Sequence, residues 1–282
     1  MNQIERLVPK GLPEAFSMME SKKGQKLVIL AGGTDIVPPL REHHIQVDCF
    51  LDIALLGLDG IREQGDGVVL GACATMKQIA TSPTMKKHFP ALAKAAGNVG
   101  AVQTRGLATV GGNLCSGVPS MDSMPSLLVY DAVFTIESAA GTRKVAAAEF
   151  ITGPRRTVMQ YGDILTEIFL PFPQADFKSD FIKFGRRRAL SLSIVNVAFG
   201  ADTAGKKLTN ARVAIGASAP TPVRALEAEK YLEGKTLANI DFDELARLVK
   251  ASIKPISDIR ASAEYRSDLA AALIAKLVKA AV

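Results

Sequence analysis

Two stretches decide the fold of this chain: Leu27-Val28-Ile29-Leu30-Ala31-Gly32-Gly33-Thr34-Asp35 and Ala108-Thr109-Val110-Gly111-Gly112-Asn113. Each carries a glycine pair close to a threonine, and the first pair follows an apolar run. Glycine has no Cβ atom, so successive backbone N–H groups can turn toward one anion. Two such loops in one domain indicate a clamp around a diphosphate, and they predict a nucleotide or dinucleotide cofactor.

Three side chains within these loops are candidates for supporting roles. We predict that the Thr34 hydroxyl donates to the anion and that Asp35 accepts backbone N–H bonds that fix the loop. Asn113 tolerates unusual backbone angles. Taken singly, each loop has an alternative interpretation as a plain turn. We expect valine at Gly32 or Gly111 to abolish cofactor binding, because a Cβ atom would block the close backbone approach.

The composition is that of a globular protein. The 282 residues are 48% hydrophobic and 22% charged, which is ordinary for such proteins. No apolar run approaches the roughly twenty residues that span a bilayer. The start, Met1-Asn2-Gln3-Ile4-Glu5-Arg6, lacks a basic segment followed by an apolar one, so no secretory signal is predicted. We therefore expect a cytoplasmic protein without membrane insertion.

The charge balance is basic, with a formal net charge of +6. This raises RNA binding as an alternative function. Tryptophan is absent and aromatic residues make up 6% of the chain, too few for the stacking surfaces that bind single strands. Only Arg186-Arg187-Arg188 forms a cluster, and with Lys183 it could bind a phosphate or a partner. A solvated basic face is the commoner structure, and we predict no nucleic-acid partner.

The chain has no recognisable metal site. Its three cysteines, Cys49, Cys73 and Cys115, are scattered and form no CxxC pair, so they cannot ligate an iron–sulfur cluster. His43 and His44 are adjacent and point in different directions. The chain also lacks the GxGxxG and GxxxxGK[ST] signatures. Any nucleotide must therefore bind outside the Rossmann and P-loop modes, and any cluster must belong to another chain.

Strand and helix patterns are both frequent, without a regular βαβ alternation, which predicts an α+β fold. The predicted helices are Leu12–Glu20, Met76–Ala80 capped by Thr75, Pro90–Gly97, Ala225–Leu232, Phe242–Ala251 and Ala263–Ala281. The predicted strands are Leu27–Leu30, Phe50–Ile53, Val68–Gly71, Leu127–Tyr130, Ala132–Ile136, Ile164–Pro171, Phe181–Phe184, Ile194–Phe199 and Arg212–Ile215. The stretch Pro171–Asp176 is the predicted domain boundary.

The two loops together resemble those of the FAD-binding middle subunits of molybdenum hydroxylases, the xanthine dehydrogenase and carbon monoxide dehydrogenase group. Leu30–Asp35 resembles the first FAD loop of that family. Gln103–Leu114 resembles the second, whose usual form is close to QIRNxATxGGN. Thr104 and Gly106 depart from this form at its isoleucine and asparagine positions.

Later segments extend the resemblance over almost the whole chain. Ser120–Ser123 resembles the family segment whose aspartate, here Asp122, contacts FAD; from the residues alone, Asp122 could equally cap a helix. Asp163-Ile164-Leu165 and Phe181–Phe184, which includes Lys183, resemble segments that close over the flavin. Ala217–Arg224 and Ile259–Arg266 resemble the C-terminal domain.

The resemblance implies a fold and a boundary. The fold is an FAD-binding fold of two α+β subdomains, of the PCMH or vanillyl-alcohol-oxidase type, followed by a smaller C-terminal α+β domain. The FAD-binding domain is expected at residues 1–174, with subdomains at about 1–57 and 58–174. The C-terminal domain is expected at residues 175–282.

The resemblance also implies a place in an electron relay. Partner subunits carry the other cofactors: a small subunit carries [2Fe–2S] clusters and a large subunit carries molybdopterin. FAD on this chain then passes electrons to NAD(P)+ or another acceptor, and no catalytic residue is predicted here. The second loop and Cys115-Ser116-Gly117 resemble bacterial xanthine dehydrogenase subunits, which favours a purine or other N-heterocycle as substrate of the complex.

Two alternatives to this function remain open. One is a non-redox nucleotide-binding or scaffolding module that uses the same loops to hold a nucleotide without electron transfer. The other is the FAD subunit of a carbon monoxide or aldehyde dehydrogenase complex.

Overall fold

The computed structural model describes residues 4–187 and 189–281. Arg188, the third arginine of the basic run, lies outside the described residues. The fold consists of three sheets with flanking helices and one short two-stranded ribbon. No helix within residues 4–187 or 189–281 is both long and apolar enough to cross a bilayer.

The N-terminal part is a three-stranded parallel sheet with two helices. Its elements are β1 (Glu5–Leu7), α1 (Leu12–Ser21), β2 (Leu27–Leu30), α2 (Val37–Arg41) and β3 (Cys49–Asp52). Strand β3 lies in the centre and pairs in parallel with β1 and β2. Ala15 and Met19 of α1 pack on Leu51 in a small separate core. The loop after β2 therefore leaves the carboxyl edge of a parallel sheet, where ligand sites are common.

The middle part is a five-stranded antiparallel sheet, ordered β4-β5-β10-β6-β7, covered by short helices. Its elements are β4 (Ile61–Gln64), β5 (Gly67–Gly71), α3 (Met76–Thr81), α4 (Pro83–His88), α5 (Pro90–Gly97), α6 (Val102–Leu107), α7 (Val110–Cys115), α8 (Ser123–Val129), β6 (Val133–Ser138), β7 (Gly141–Ala146), α9 (Ala147–Phe150), β8 (Ile151–Gly153), β9 (Arg156–Thr157) and β10 (Ile164–Pro171). This part holds the largest core, which includes Phe89, Phe134 and Phe150.

The C-terminal part is a four-stranded antiparallel sheet with three helices. Its elements are β11 (Phe177–Gly185), β12 (Ser193–Asp202), β13 (Thr209–Gly216), β14 (Val223–Arg224), α10 (Leu226–Leu232), α11 (Phe242–Ala251) and α12 (Ala263–Ala281). Val195 and Val197 of β12 face the core formed with these helices, whereas Phe181 and Ala198 belong to the core of the middle part. The sheet is therefore buried on both faces.

Most predicted elements are confirmed by the structure. Thr75 caps α3 through a capping box with Gln78, and the predicted strand Val68–Gly71 lies in β5, which forms a hairpin with β4 around Gly65. The predicted strand Leu127–Tyr130 is wrong, since residues 123–129 form α8. Every residue of α8 is buried. A fully buried helix shows no polar face, so its short apolar run cannot be told from a strand by periodicity.

Candidate functional site

A cavity of about 650 Å³ opens where the three parts of the fold meet. Its volume is typical of sites that hold a cofactor or small molecule. Its walls come from the loop after β2, the start of α7, the segment before β10 and the connection between β11 and β12. The lining includes Ile29, Leu30, Ala31, Gly32, Gly33, Thr34, Asp35, Ala108, Thr109, Gly111, Gly112, Asn113, Asp122, Ile164, Leu165 and Lys183.

The structure thus brings both glycine pairs and the later predicted residues into one cavity. Two predicted residues lie outside this lining. Val110 is fully buried and packs in the core of the middle part, and Val28 lies in β2 opposite Phe50. Their sequence neighbours line the cavity while their own side chains support it.

The first glycine loop presents unused backbone donors. Within residues 4–187 and 189–281, the backbone N–H groups of residues 32–35 have no acceptor. Gly33 has a φ of 68°, in the left-handed region that favours glycine. Successive free N–H groups beside a left-handed residue fit an anion such as a diphosphate. This loop therefore has backbone donors free to bind an anion, and its role as an anion nest stays a prediction.

The turn is closed by backbone contacts rather than by a carboxylate. The Gly33 carbonyl accepts hydrogen bonds from the N–H groups of Ile36 at 3.2 Å and Val37 at 2.9 Å. The Asp35 side chain accepts no backbone N–H bond from the described part of the chain. The prediction that Asp35 fixes the loop is therefore wrong, because the first turn of α2 does so.

The second glycine pair lies in the first turn of α7 and is not an open nest. The Gly111 N–H donates to the Ala72 carbonyl at 2.8 Å. The Gly112 N–H donates to Thr109 Oγ1 at 3.1 Å, which makes Thr109 the N-cap of α7. Asn113 is helical rather than in an unusual conformation. Both glycine donors are therefore occupied, and this pair forms a wall of the cavity.

The glycines allow close packing within the protein itself. A Cβ atom on Gly32 would lie 1.8 Å from the Leu107 carbonyl oxygen, and one on Gly111 would lie 2.7 Å from the Ala72 carbonyl oxygen. The physical obstacle to a side chain at these two positions is therefore the chain's own backbone. The prediction was that a Cβ atom would block the close approach of the backbone to the cofactor, whereas these contacts lie within the protein.

Asn113 offers a further donor to the cavity. Its Oδ1 accepts the Ser123 hydroxyl at 2.6 Å. Its amide nitrogen has no acceptor in the part of the chain that the structure describes. The free amide N–H groups and the free backbone donors of residues 32–35 give the cavity the donor chemistry that a phosphate-bearing cofactor needs.

Asp122 is buried and fully engaged by the C-terminal part. Lys183 Nζ donates to its Oδ2 at 2.5 Å. Ser193 Oγ donates to its Oδ1 at 2.6 Å, and Asn196 Nδ2 donates to Oδ1 at 2.9 Å. Lys183 Nζ also donates to the Asn98 carbonyl at 3.1 Å. Asp122 makes no side-chain cap to α8, and its carboxylate joins the middle and C-terminal parts of the fold at the cavity wall.

A second ion pair lies at another wall of the cavity. Arg143 donates twice to Asp163, at 2.8 and 2.5 Å, and the Gln160 N–H donates to Asp163 at 2.6 Å. Burial disfavours the charged form of Asp163, but the Arg143 guanidinium and the Gln160 N–H outweigh it and hold the pKa of that carboxyl below its usual range.

The cysteines and the basic run contribute little chemistry. Cys73 lines the cavity but is buried, and burial raises the pKa of its thiol to about 11. Cys115 is exposed and lines the cavity. No group of three potential metal ligands occurs within residues 4–187 and 189–281. Arg186 and Arg187 are exposed, and Arg187 donates to the Leu190 carbonyl.

Ser193 and Asn196, which hold Asp122 at the cavity wall, were not predicted from the sequence. Both lie in β12, which was predicted only as an apolar strand. A signal for Asn196 exists, because it is the only amide within the apolar run Ile194–Ala201. A polar side chain in a buried strand needs a hydrogen-bond partner, but the sequence does not name that partner.

Two protein families cover nearly the whole chain. The FAD binding domain in molybdopterin dehydrogenase matches residues 2–173. The CO dehydrogenase flavoprotein C-terminal domain matches residues 180–281. The predicted FAD-binding fold followed by a C-terminal α+β domain is confirmed, while the boundaries at 57 and 174 stay predictions.

Curated relatives and a solved structure match over the same extent. The xanthine dehydrogenase FAD-binding subunit of Escherichia coli O157:H7 is 32% identical over 96% of this chain and 93% of that subunit. The nicotinate dehydrogenase FAD-subunit of Eubacterium barkeri is 30% identical over 98% of this chain and 95% of its own length. A chain of carbon monoxide dehydrogenase from Hydrogenophaga pseudoflava, in a structure that lacks the Mo-pyranopterin moiety, superposes with a TM-score of 0.94 at 28% identity, over 99% and 97% of the two chains.

Proposed function

The chain belongs to the FAD-binding subunits of the molybdopterin dehydrogenases, and on that premise we propose that it is the electron-transfer subunit of a heteromeric molybdenum hydroxylase. It receives electrons from [2Fe–2S] clusters on a small partner subunit and delivers them to NAD(P)+ or another acceptor. A large partner subunit carries the molybdopterin and hydroxylates the substrate. The cytoplasmic location stays a prediction.

The cavity between the two glycine loops is the observation that carries this proposal. The free N–H groups of residues 32–35 would hold the diphosphate of FAD. Thr34 and Asn113 would add side-chain donors. Ile29, Leu30, Ile164 and Leu165 would supply apolar walls.

FAD, when bound, supplies the redox chemistry, since it can accept electrons singly and release a pair. This chain's residues bind and orient it and set the charge around it. Cys49, Cys73 and Cys115 include two buried thiols and one exposed thiol, and none belongs to a cluster of potential metal ligands in the described chain. We propose that the electron donor lies on a partner subunit.

A purine or another N-heterocycle is the proposed substrate of the complex. The relatives above include FAD subunits of a xanthine dehydrogenase and a nicotinate dehydrogenase, whose named substrates are both N-heterocycles. The second candidate is a carbon monoxide dehydrogenase complex, which the medium chain from Afipia carboxidovorans favours at 30% identity over 97% of this chain.

The first experiment tests the cofactor. The purified protein is expected to show a flavin spectrum and to release FAD, rather than FMN, on denaturation. Gly32→Val is expected to bind no FAD, and Gly106→Ala is its matched control, because a Cβ atom at Gly106 meets nothing within 4 Å. A protein that stays colourless after incubation with FAD would contradict the proposal.

The second experiment tests electron transfer and substrate. The chain is co-purified with its small and large partner subunits, and the absorbance of bound FAD is followed after addition of xanthine, nicotinate or carbon monoxide. Bleaching by an N-heterocycle is expected. Bleaching by carbon monoxide alone favours the second candidate, and bound FAD that no substrate or reduced partner bleaches favours a non-redox nucleotide-binding module.

A further inference from the structure

Asn196 has an unusual environment for an amide in the middle of a buried strand. Its side chain is fully buried, and its Oδ1 atom has no hydrogen-bond partner among residues 4–187 and 189–281. That oxygen faces Gly216, where a Cβ atom would lie 2.1 Å away from it. An unpartnered buried acceptor destabilises a fold. The hydrogen bonds that compensate for this cost are made by the amide nitrogen of the same side chain.

The Asn196 amide nitrogen holds one oxygen of Asp122. Nδ2 donates to Asp122 Oδ1 at 2.9 Å and to the Met121 carbonyl at 3.1 Å. Ser193 Oγ donates to the same Oδ1 at 2.6 Å. Both donors are neutral and buried, so they stabilise the carboxylate without adding a charge of their own.

The other oxygen of Asp122 holds the Lys183 ammonium. The Nζ–Oδ2 distance is 2.5 Å, and both side chains line the cavity while remaining about nine-tenths buried. The two neutral donors on Oδ1 offset part of the negative charge of the Asp122 carboxylate. The carboxylate therefore neutralises less of the positive charge that the Lys183 ammonium presents to the cavity.

We propose that Ser193 and Asn196 are positioning residues that raise the midpoint potential of FAD bound in this cavity. They act through Asp122: their hydrogen bonds offset part of its negative charge, so that more of the positive charge of Lys183 remains effective. A positive charge near a flavin stabilises the form that has gained electrons. The inference rests on the proposed function, since it requires FAD in this cavity.

The proposal predicts opposite signs for neighbouring substitutions. Asn196→Leu and Ser193→Ala each remove one donor from Asp122, so its negative charge acts more strongly and the potential falls. Asp122→Asn removes the negative charge, and the potential rises. A tenfold weaker preference for reduced over oxidised FAD in N196L would appear as a potential about 30 mV lower, for a two-electron couple.

The experiment is a redox titration of the FAD-loaded full chain with indicator dyes. Val197→Ala is the matched control, because Val197 is the next residue of β12 and faces the opposite core. It should lower stability but leave the potential unchanged. If N196L does not fold, S193A carries the test, since it only removes an oxygen atom.

A second measurement works without FAD. In the FAD-free chain, the unfolding free energies of Asn196→Leu and Asp122→Asn are expected to be non-additive, because both substitutions alter the same hydrogen bond. Additive values would overturn the positioning role. Wild-type protein that binds FAD, together with unchanged potentials in N196L and S193A, would overturn the inference alone. Wild-type protein that binds no FAD would overturn the proposed function instead.

Discussion

The backbone of Gly32 lies directly against the carbonyl oxygen of Leu107, so that a Cβ atom on Gly32 would be 1.8 Å from that oxygen. This contact joins the loop after β2 to the end of α6, immediately before the second glycine loop. Two backbones that approach so closely cannot make room for a side chain without moving apart. The wall of the cavity thus depends on a contact between the first glycine loop and the end of α6.

Gly32→Ala is therefore expected to weaken both the fold and FAD binding. The added Cβ atom forces the loop after β2 away from Leu107, and the N–H groups of residues 32–35 lose their arrangement. Urea unfolding of the FAD-free protein and FAD titration measure the two effects. Gly106→Ala, at the penultimate position of α6 with open space around it, should instead stabilise slightly, by at most about 0.5–1 kcal/mol. A G32A variant with wild-type affinity for FAD would contradict this account.

Thr109→Val should destabilise the protein by about 1 kcal/mol, a usual loss for an N-cap side chain. Valine has the shape of threonine but cannot accept the Gly112 N–H at 3.1 Å. The effect is measured by denaturant unfolding. Thr109→Ser keeps the hydroxyl acceptor and should retain most of the stability. Equal losses in both variants would show that the methyl group, rather than the cap, matters.

The Arg143–Asp163 pair is expected to make stability depend on acidity. Since the folded-state pKa of Asp163 is held below its usual value, the pair stabilises the fold fully above about pH 4. That contribution is lost as the pH falls through the lower, folded-state pKa. Asp163→Asn should therefore be destabilising at pH 7, and its difference from wild type should shrink in acid. A difference that stays constant between pH 7 and pH 3 would rule out this linkage.

FAD should stabilise the chain by mass action. At a free FAD concentration one hundred times the dissociation constant, the gain in unfolding free energy is about 2.7 kcal/mol. Thermal unfolding at increasing FAD concentration measures it. The same titration with riboflavin, which lacks the diphosphate, should give a much smaller rise, because residues 32–35 then have no anion to bind. Equal rises would place the diphosphate elsewhere.

Much of the local structure could be predicted from the sequence. The capping box at Thr75, the hairpin around Gly65 and the helix Phe242–Ala251 all rest on short-range chemistry. The helix α8 was missed because its residues are buried on every side. An apolar run without a polar face carries no periodic signal.

The sequence predicted which residues lie at the site but not which contacts these residues make. The glycine loops and Asp122 were singled out, and all three line one cavity. Donors to Asp122 from Lys183, Ser193 and Asn196 come from residues more than sixty positions away. No short-range pattern links residues so far apart in the chain.

The sequence by itself determined the α+β fold class, the family and the two glycine loops, because each depends on neighbouring residues. Only the tertiary structure decided what the glycines are for. At Gly32 and Gly111 the missing side chain makes room for Leu107 and Ala72 of the same chain, and only the first loop keeps its backbone donors free. A glycine permits another group to approach the backbone closely, and the packing of distant segments decides which group that is.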